Sequence, residues 1–287
     1  MVSFQRLAYS RNRTGSVAFM TWFKKRVYSW IGSKGYRISK TTNLNHLRSF
    51  ISLLHPIQVP LIRVGGNGDG GYLIPDDLSG VNFCFSPGVS DIATFENELS
   101  SKGVKSFLAD YSVENPPFLD NSVSFIKKFV GPTESIEMIV FEDWIKSNVE
   151  SGEDLILQMD IEGAEYQTLL SCNSSVLTQF RIMVIEFHSL NLLFDKDAFP
   201  IIKSCFDKIL THFSVVHIHP NNTSEIKTIA DIQIPPILEI TFLRKDRVNN
   251  LNWAQDFPHR LDFLNVPTKA NLVLPRLWFN QDLGRID

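Results

Sequence analysis

The stretch DLILQMDIEGAEYQTLL, which runs from Asp154 to Leu170, decides the fold expected for this chain. A continuous run of apolar and neutral residues from Leu155 to Met159 leads directly into Asp160, and an apolar helical pattern resumes a few residues later. A short apolar run bounded by a turn signal is typical of a buried strand in a parallel sheet. Because ligands bind at the carboxyl ends of such strands, the pattern predicts a binding site at Asp160.

The composition is that of a globular protein whose core needs no disulfides. The chain has 287 residues, of which 44% are hydrophobic and 21% are charged, so it has room for one large domain or two small ones. Its three cysteines, Cys84, Cys172 and Cys205, are far apart in apolar segments, which indicates buried, reduced thiols and no CxxC metal site. No apolar run approaches the ~18 residues that would span a bilayer, and no signal peptide is recognisable. We therefore expect a soluble protein body in the cytoplasm.

Basic residues are concentrated at the start of the chain. The first 68 residues contain eleven Lys or Arg and no Asp or Glu, whereas the remainder has 17 against 31. The segment 17–36 interleaves aromatic and basic residues, which is typical of an amphipathic helix in peripheral contact with an anionic membrane. A transit peptide and a helix packed on the following domain are the competing interpretations, and nucleic-acid binding is disfavoured because no recognition motif accompanies the charge. We assign residues 1–55 to a basic helical leader, 56–249 to the main domain and 250–287 to an extension that packs on it.

Two glycine-rich turns indicate ligand contacts in the first half of the main domain. Leu61–Pro75 reads as two short strands joined by glycines, where Asp69 and Tyr72 are suited to bond and cover a bound molecule, and a plain hairpin is the alternative. Farther along, a strand at Asn82–Ser86 is followed by a turn at Gly88 and then by a helix. This order brings backbone amides at a helix start toward a ligand, as in nucleotide-binding α/β folds.

A second strand, Val104–Ala109, stops at Asp110, which lies 22 residues after Gly88. An acid at the end of the second strand, at about this distance, is suited to bond the hydroxyls of a ribose. The glycine turn does not match GxGxxG, so a dinucleotide such as NAD, and with it an oxidoreductase, is disfavoured. Together the turn and the acid predict a nucleoside-bearing ligand.

The later part of the chain supplies further apolar segments that read as strands: Ser122–Gly131, an extra one at Ile136–Phe141, Arg181–Phe187, Phe213–His219 and Ile237–Leu243. Alternation in the fourth of these segments places Val215, His217 and His219 on one face. Helical patterns separate most of the strands. The sequence therefore predicts a doubly wound α/β sheet of about seven strands with an antiparallel final pair, preceded by a helical N-terminal extension.

Two motifs resemble those of a known family. MDIEGAE at Met159–Glu165 and IEFH at Ile185–His188 resemble the FkbM methyltransferases, and the strand pattern resembles the class I S-adenosylmethionine-dependent methyltransferases. The segments DGGY, FSPGVSDIATFE and NNTSEI extend the similarity over about residues 60–245, while the turn SPGVSD departs from the family's usual acidic, multi-glycine motif. The resemblance implies a Rossmann-like methyltransferase fold that uses S-adenosylmethionine.

By this resemblance, the residues that would contact the cofactor follow the strand ends: Ser86, Pro87, Gly88, Asp91, Asp110 and Asp160. Asp160 would lie near the sulfonium, where a negative charge is also favoured on electrostatic grounds. Methyl transfer requires an acceptor oxygen in line with the S–CH₃ bond and the removal of one proton. We therefore assign catalytic roles to Asp160 and to His188, which stands beside Glu186 at a strand end, with a purely structural histidine as the alternative.

A divalent ion held by Asp160, Glu186 and His188 is a further interpretation, although their spacing matches no specific metal motif. Six residues are candidates for contacting an acceptor: Asp69, Tyr72, Glu162, Glu165, His219 and Asn222. For Glu162 and Glu165 the alternative is that a negative charge is favourable at the start of a helix. For His219 and Asn222 the alternative is that they belong to a simple turn.

The sequence favours an S-adenosylmethionine-dependent O-methyltransferase that acts on a hydroxyl of a sugar, a glycan or a related natural product. The alternative is a non-catalytic, methyltransferase-like scaffold that reaches a membrane or a partner through its basic N terminus. Acceptor pockets in such folds are built from loops without a general code, so the acceptor class is inherited from the resemblance.

Overall fold

The computed structural model describes residues 25–30, 32–35, 38–114, 122–249 and 251–280. The chain divides into two compact units, Met1–Thr41 and Thr42–Asp287. Half of the segment 17–36, for which a membrane contact was predicted, lies outside the described residues, and residues 25–30 are helical. Among the helices that the structure describes, none combines the length and the apolar character needed to cross a bilayer.

The second unit contains the elements of an α/β domain. Its described helices are α1 (Leu44–Ser52), α2 (Thr94–Ser101), α3 (Phe141–Asn148), α4 (Glu165–Ser171), α5 (Ser174–Leu177) and α6 (Phe199–His212). Its described strands are β1 (Leu61–Val64), β2 (Tyr72–Pro75), β3 (Phe83–Pro87), β4 (Lys105–Ala109), β5 (Val123–Ile126), β6 (Phe129–Gly131), β7 (Met138–Val140), β8 (Leu155–Met159), β9 (Phe180–Phe187), β10 (Phe213–Pro220), β11 (Lys227–Ile229), β12 (Ile232–Ile234) and β13 (Leu238–Arg244).

Seven of these strands form the main sheet in the order β10-β13-β9-β8-β3-β4-β5. Neighbouring strands are parallel except at β13, which runs antiparallel to both β9 and β10. All five residues of β8 are buried, because helices or the β1–β2 hairpin cover each face of the sheet. The predicted doubly wound sheet with an antiparallel last strand is confirmed.

Helix α1 packs with the sheet, although the sequence assigned it to the basic leader. Asn43 caps its start by accepting backbone hydrogen bonds. The apolar face of the helix is buried in the main core at Leu47, Phe50 and Ile51. Burying such side chains contributes roughly 1.5–3 kcal/mol each, which stabilises the contact of α1 with the domain. The compact unit accordingly begins at Thr42, whereas the predicted boundary was at residue 55.

The extension after β13 also packs on the domain. Leu274, Leu277 and Trp278 are buried in the core, and the indole Nε1 of Trp278 donates a hydrogen bond to the carbonyl oxygen of Gln233 at 3.0 Å. The cysteines Cys84, Cys172 and Cys205 are buried and free, as the sequence indicated.

Two expected segments have a different structure. The single strand expected at 122–131 is divided: β5 joins the main sheet and β6 pairs in parallel with β7. The charged pair Lys127 and Lys128 lies at the break, where it interrupts the apolar run. The connection between β10 and β13, for which the sequence predicted no strand, contains the antiparallel hairpin β11–β12.

A β-bulge in β10 changes which side chains share a face. Val215 pairs with Phe242, whereas His217 pairs with Thr241. Since Phe242 and Thr241 are adjacent on β13, they point to opposite faces of the sheet. The expectation that Val215 shares a face with His217 and His219 is therefore wrong, because the bulge adds one residue to the strand.

The carboxyl ends of β3 and β8 approach each other through backbone atoms at Gly88 and Asp160. The amide of Asp160 donates to the carbonyl oxygen of Pro87 at 3.1 Å, and a Cβ on Gly88 would lie 1.5 Å from the carbonyl oxygen of Asp160. Gly88 also has φ +84°. Only glycine satisfies both conditions, so this residue is required by the neighbouring strand before any ligand is considered.

We expect Gly88→Ala to destabilise the fold more than Gly103→Ala. The two glycines have nearly the same φ, +84° and +83°, so both variants carry the cost of left-handed backbone, about 1–2 kcal/mol. A Cβ at Gly103 meets nothing within 4 Å, whereas a Cβ at Gly88 collides with backbone. The free energy of unfolding from urea titration should therefore fall by at least about 2 kcal/mol more in Gly88→Ala. Equal losses would contradict the close approach of the two strands.

Candidate functional site

Neighbouring strands of the main sheet end at one edge, and their last residues form the centre of the site. Asp160 follows β8 and His188 follows β9. Glu186 lies two residues before His188, so the two side chains lie on the same side of the sheet. The structure thus brings together Asp160, Glu186 and His188, as the sequence predicted.

The buried carboxylate of Glu165 orients the imidazole ring of His188. Nδ1 of His188 lies 3.1 Å from Oε1 of Glu165, whose side chain is 0% exposed. The same oxygen accepts a hydrogen bond from the amide of Gly163 at 3.0 Å, and the hydroxyl of Tyr166 donates to the carbonyl oxygen of His188 at 2.7 Å. These bonds fix the imidazole with Nε2 toward the cleft. Glu165, predicted to contact an acceptor, is thus completely buried and contacts His188 instead.

Three carboxylates surround the Nε2 atom of His188. The distances are 3.5 Å to Oε2 of Glu162, 3.5 Å to Oε1 of Glu186 and 3.8 Å to Oδ1 of Asp160. Glu162 forms the exposed rim, while Oδ1 of Asp160 and Oε2 of Glu186 are buried and have no hydrogen-bond partner among the described residues. Buried carboxylate oxygens without partners are suited to receive a positively charged group.

Burial and mutual repulsion shift the proton affinities of this cluster. Burial raises the pKa of Asp160 to about 7, although His188 acts in the opposite direction. Burial and repulsion from Asp160 raise the pKa of Glu186 to about 10. Burial lowers the pKa of His188, but the nearby carboxylates of Glu165 and Asp160 outweigh it, so that this pKa is raised. Near neutral pH the cluster therefore retains protons that isolated carboxyl groups would have released.

The β1–β2 hairpin closes one side of the cleft with Asp69 and Tyr72. Tyr72 is buried, and its hydroxyl accepts a hydrogen bond from Nε2 of Gln158 at 3.3 Å. Burial and the carboxylates of Glu239 and Glu186 raise the pKa of Tyr72 well above its ordinary value, so the phenol stays protonated. The predicted partners Asp69 and Tyr72 thus face the same cleft as Asp160.

A cavity of about 290 Å³ opens beside the ends of β3 and β4. Its walls are largely apolar and are supplied by Ala109, Phe129, Val130, Met138, Ile161 and Ala164. Gly88, Asp110 and Asp160 border the same space. Oδ1 of Asp110 accepts hydrogen bonds from the amide and the hydroxyl of Ser112, each at 2.7 Å, so the carboxylate is fixed at the cavity wall. The cavity combines a largely apolar wall with the oriented carboxylate of Asp110.

A narrow cleft of about 30 Å³ joins Gly88 and Asp160 to Asp69, and Glu96 contributes a buried carboxyl group to it. Burial raises the pKa of Glu96. Ser86 is fully buried and bonds Glu96 and Gln158, so its hydroxyl faces the protein interior. Asp91 is exposed and contributes to neither cavity. Of the turn residues expected to contact a cofactor, Gly88 is the one that borders both cavities.

A row of polar side chains continues from this cluster toward the end of the sheet. His219, Glu239 and Glu186 lie directly opposite one another on β10, β13 and β9. Nδ2 of Asn221 donates to Glu186 at 3.1 Å, and Nδ2 of Asn265 donates to Glu239 at 2.5 Å. The predicted His219 therefore belongs to the same edge as Asp160.

Asn222 does not face this edge with a free amide. Its Nδ2 donates to the carbonyl oxygens of Val266 and Ala270 at 2.9 and 3.3 Å, and its Oδ1 accepts from the amide of Val266 at 2.9 Å. The side chain holds the segment after β13 against the domain. Asn222, predicted to contact an acceptor, thus has its side-chain hydrogen-bonding groups in use within the protein.

Sequence reasoning missed four polar residues of the site: Glu96, Gln158, Glu239 and Asp262. Gln158 and Glu239 each stand alone among apolar residues of a buried strand, which is a signal that can be read from sequence. Asp262 has no such signal, because the segment around it forms no regular helix or strand.

One comparison with known proteins shows the family of this chain. The family model of the FkbM methyltransferase domain matches residues 91–266, which is more than half of the chain. The chain belongs to the FkbM methyltransferase family. Among solved structures, a crystal structure of a fibrillarin/Nop5p complex matches with 12% identity and a TM-score of 0.37, covering 58% of this chain and 74% of that chain. A search of curated proteins gave no match. The FkbM match includes Asp110, Asp160 and His188 and begins after Gly88.

We expect Asp160→Asn to stabilise this FkbM protein more at high pH than at low pH. The ordinary pKa of this carboxyl group is 3.8, and in the folded state it is about 7. Because the unfolded chain loses the proton first, ionisation of Asp160 destabilises the fold as pH rises between these values. Asparagine stays neutral, so its gain in thermal stability should be larger at about pH 8 than at about pH 5, by on the order of 2 kcal/mol.

Differential scanning calorimetry at the two pH values measures this gain. Asp91→Asn, at an exposed position away from the cluster, serves as the control and should show no such pH-dependent gain. A gain from Asp160→Asn that is equal at both pH values would contradict the burial of Asp160 among other carboxylates.

Proposed function

We propose that the protein is an S-adenosylmethionine-dependent O-methyltransferase that acts on a hydroxyl of a sugar, a glycan or a related natural product. The observation that carries the proposal is the pairing of two features at adjoining strand ends. An apolar cavity stands beside the oriented carboxylate of Asp110, and a cluster of partnerless carboxylate oxygens stands at Asp160. The first suits an adenosine and the second suits a sulfonium cation.

The residues present fit the cofactor. Phe129 and Met138 offer apolar surface to a purine, and Asp110 offers a carboxylate to the ribose hydroxyls. Asp69, Glu96 and Asp160 line the narrow cleft beyond, where their acidic groups would receive an amino group and a sulfonium. When bound, S-adenosylmethionine supplies a methyl group activated by its positive sulfonium.

His188 is suited to take the proton of the acceptor hydroxyl. The bond to Glu165 orients the ring and stabilises the imidazolium that proton transfer creates. The carboxylates around His188 raise its pKa, which in the free protein favours the protonated form. A cation next to Asp160 would lower that pKa by repulsion, so His188 would become a base when the cofactor is in place.

The acceptor would lie on the side formed by β9, β10 and the β1–β2 hairpin. Asp69, Tyr72, Glu162 and His219 supply carboxylate, phenol and imidazole groups there, which are suited to a polyhydroxylated molecule. Glu165 and Asn222 would support this side without touching the acceptor, since Glu165 lies fully buried beside His188 and the side-chain amide of Asn222 is bonded within the protein. These contacts favour a sugar hydroxyl over an apolar acceptor.

A divalent ion bound by Asp160, Glu186 and His188 is a second way to neutralise the negative charge of these carboxylates. Oxygen ligands of this kind suit Mg²⁺ or Mn²⁺, and such an ion would polarise the acceptor hydroxyl. Nε2 of His188 lies 3.8 Å from Oδ1 of Asp160 and 3.5 Å from Oε1 of Glu186. Among the described residues, the group at this site whose ligand atoms all lie within 4.8 Å of one another contains Glu165 in place of Glu186. Chelation followed by addition of Mg²⁺ in the transfer assay distinguishes this arrangement from one without metal.

The cofactor assignment is tested by titration calorimetry of the full chain with S-adenosylmethionine. Asp110→Asn removes a charged hydrogen-bond acceptor at the ribose position, so binding should weaken by roughly 10- to 100-fold. Asp91→Asn should change binding by no more than about twofold, because Asp91 is exposed outside both cavities. Absence of binding to a folded sample, or a larger effect from Asp91→Asn, would contradict the proposal.

Methyl transfer is tested by mass spectrometry for the gain of one methylene across sugars, nucleotide sugars and glycolipids. The wild-type protein should methylate at least one of them, and His188→Gln should lose transfer while retaining cofactor binding. Cofactor binding without any product would favour the alternative, a non-catalytic scaffold.

A further inference from the structure

Two histidines of β10 and one aspartate of the segment after β13 form a second cluster of potential metal ligands. Nε2 of His217 lies 2.9 Å from Oδ1 of Asp262, and Nδ1 of His219 lies 3.6 Å from the same oxygen. Each of the three residues has one potential ligand atom that lies within 4.8 Å of those of the other two. His217 and His219 are two residues apart after the bulge, so both side chains lie on the face that this segment covers.

His219 has unused hydrogen-bonding capacity in a buried position. His219 is 8% exposed, and neither of its ring nitrogens has a hydrogen-bond partner among the described residues. A buried polar group without a partner is unfavourable by about 1–3 kcal/mol, so such groups usually indicate a bound water, ion or ligand. The ring borders a cavity of about 250 Å³ that Asp262 also lines. The imidazole is therefore positioned to bind something that enters this space.

We propose that His217, His219 and Asp262 bind a divalent transition-metal ion of the Zn²⁺ type. Imidazole nitrogen and carboxylate oxygen are the ligands that Zn²⁺ accepts, and three protein ligands leave a fourth position for water. Ligand atoms at 2.0–2.1 Å from a tetrahedral ion lie about 3.3 Å from one another. The observed separations of 2.9 and 3.6 Å bracket that value.

The surroundings orient these ligands. Oδ2 of Asp262 accepts a hydrogen bond from the amide of His259 at 2.7 Å, which leaves Oδ1 to face the histidines. The ring of His217 stacks on Phe257 with 15° between the planes. Such outer contacts hold metal ligands in place. Glu239, which is 6% exposed, lies opposite His219 in the sheet, where an ionised carboxylate would attract a nearby cation.

The ion would fasten the segment after β13 to the sheet. Two of its ligands come from β10, and the third comes from a turn in which the amide of Asp262 donates to the carbonyl oxygen of His259. The same segment contributes Asn265, which bonds Glu239, and Val266, which bonds Asn222. Loss of the ion would therefore loosen the wall formed by residues 257–266.

Titration of the chelator-treated full chain with Zn²⁺ tests the site. The wild type should bind one ion, and bound Zn²⁺ should slow proteolysis within residues 251–280. His219→Ala should weaken Zn²⁺ binding by at least about 100-fold, because it removes a ligand. The variant should fold, since the ring nitrogens make no hydrogen bond in the protein. Asp262→Asn is a second variant that retains the side-chain shape and should also weaken binding.

Two controls distinguish this site from other histidines. His46→Ala removes an exposed imidazole on α1 and should leave Zn²⁺ binding unchanged. His188→Gln removes the imidazole of the strand-end cluster and should also leave one Zn²⁺ bound. The proposal is overturned if the folded wild type binds no Zn²⁺, or if binding survives His219→Ala but is lost in His188→Gln. Weak binding that is equal in all variants would mean an adventitious ion only, and would overturn it as well.

Discussion

Repulsion among buried carboxylates at the ends of β8 and β9 is the constraint on which this structure depends. Asp160 and Glu186 lie within 4 Å of the same imidazole nitrogen, and each has a buried oxygen without a hydrogen-bond partner. An arrangement of this kind destabilises the folded chain unless protons or cations are bound. The raised pKa values of Asp160 and Glu186 express this balance. The family to which the chain belongs transfers methyl groups, and the proposed methyl donor is a cation.

The rest of the domain holds these groups together. The backbone approach at Gly88 fixes the end of β8 against β3, and the Glu165–His188 bond fixes the end of β9. Apolar burial on both faces of the sheet provides the stability that an unfavourable acidic cluster requires. At Asp160, a negative charge destabilises the fold, whereas the proposed binding of a cation requires that charge.

The sequence predicted the parts of the fold that local patterns determine. The apolar run of β8 and the acids Asp110 and Asp160 were found because each strand end carries its own signal. The bulge between Val215 and His217 was not found, because a register shift depends on pairing with β13 and leaves no mark in the alternation of residues. Glu165 was predicted either to contact an acceptor or to place a charge at a helix start. It does begin α4, but its burial beside His188 depends on tertiary packing that the sequence pattern does not show.

Residues that act through tertiary contacts were the hardest to predict. The place of Glu239 beside His219 and Glu186 depends on how β13 pairs with its neighbours, and Asp262 comes from a segment without regular structure. Both reach the site only because the antiparallel β13 and the segment after it return to the carboxyl edge of the sheet. Loops and chain returns of this kind have no periodic signal, so the acceptor side is less predictable than the cofactor side.

The central claim is that the acidic cluster is built for the positive charge of the sulfonium. Titration calorimetry near pH 7 in buffers of different protonation enthalpy measures the protons exchanged when S-adenosylmethionine or its uncharged product, S-adenosylhomocysteine, binds. Because the pKa of Asp160 is about 7, the site is partly protonated under these conditions. The cationic cofactor should expel protons that the neutral product leaves in place. Equal proton release by the two ligands would contradict the account.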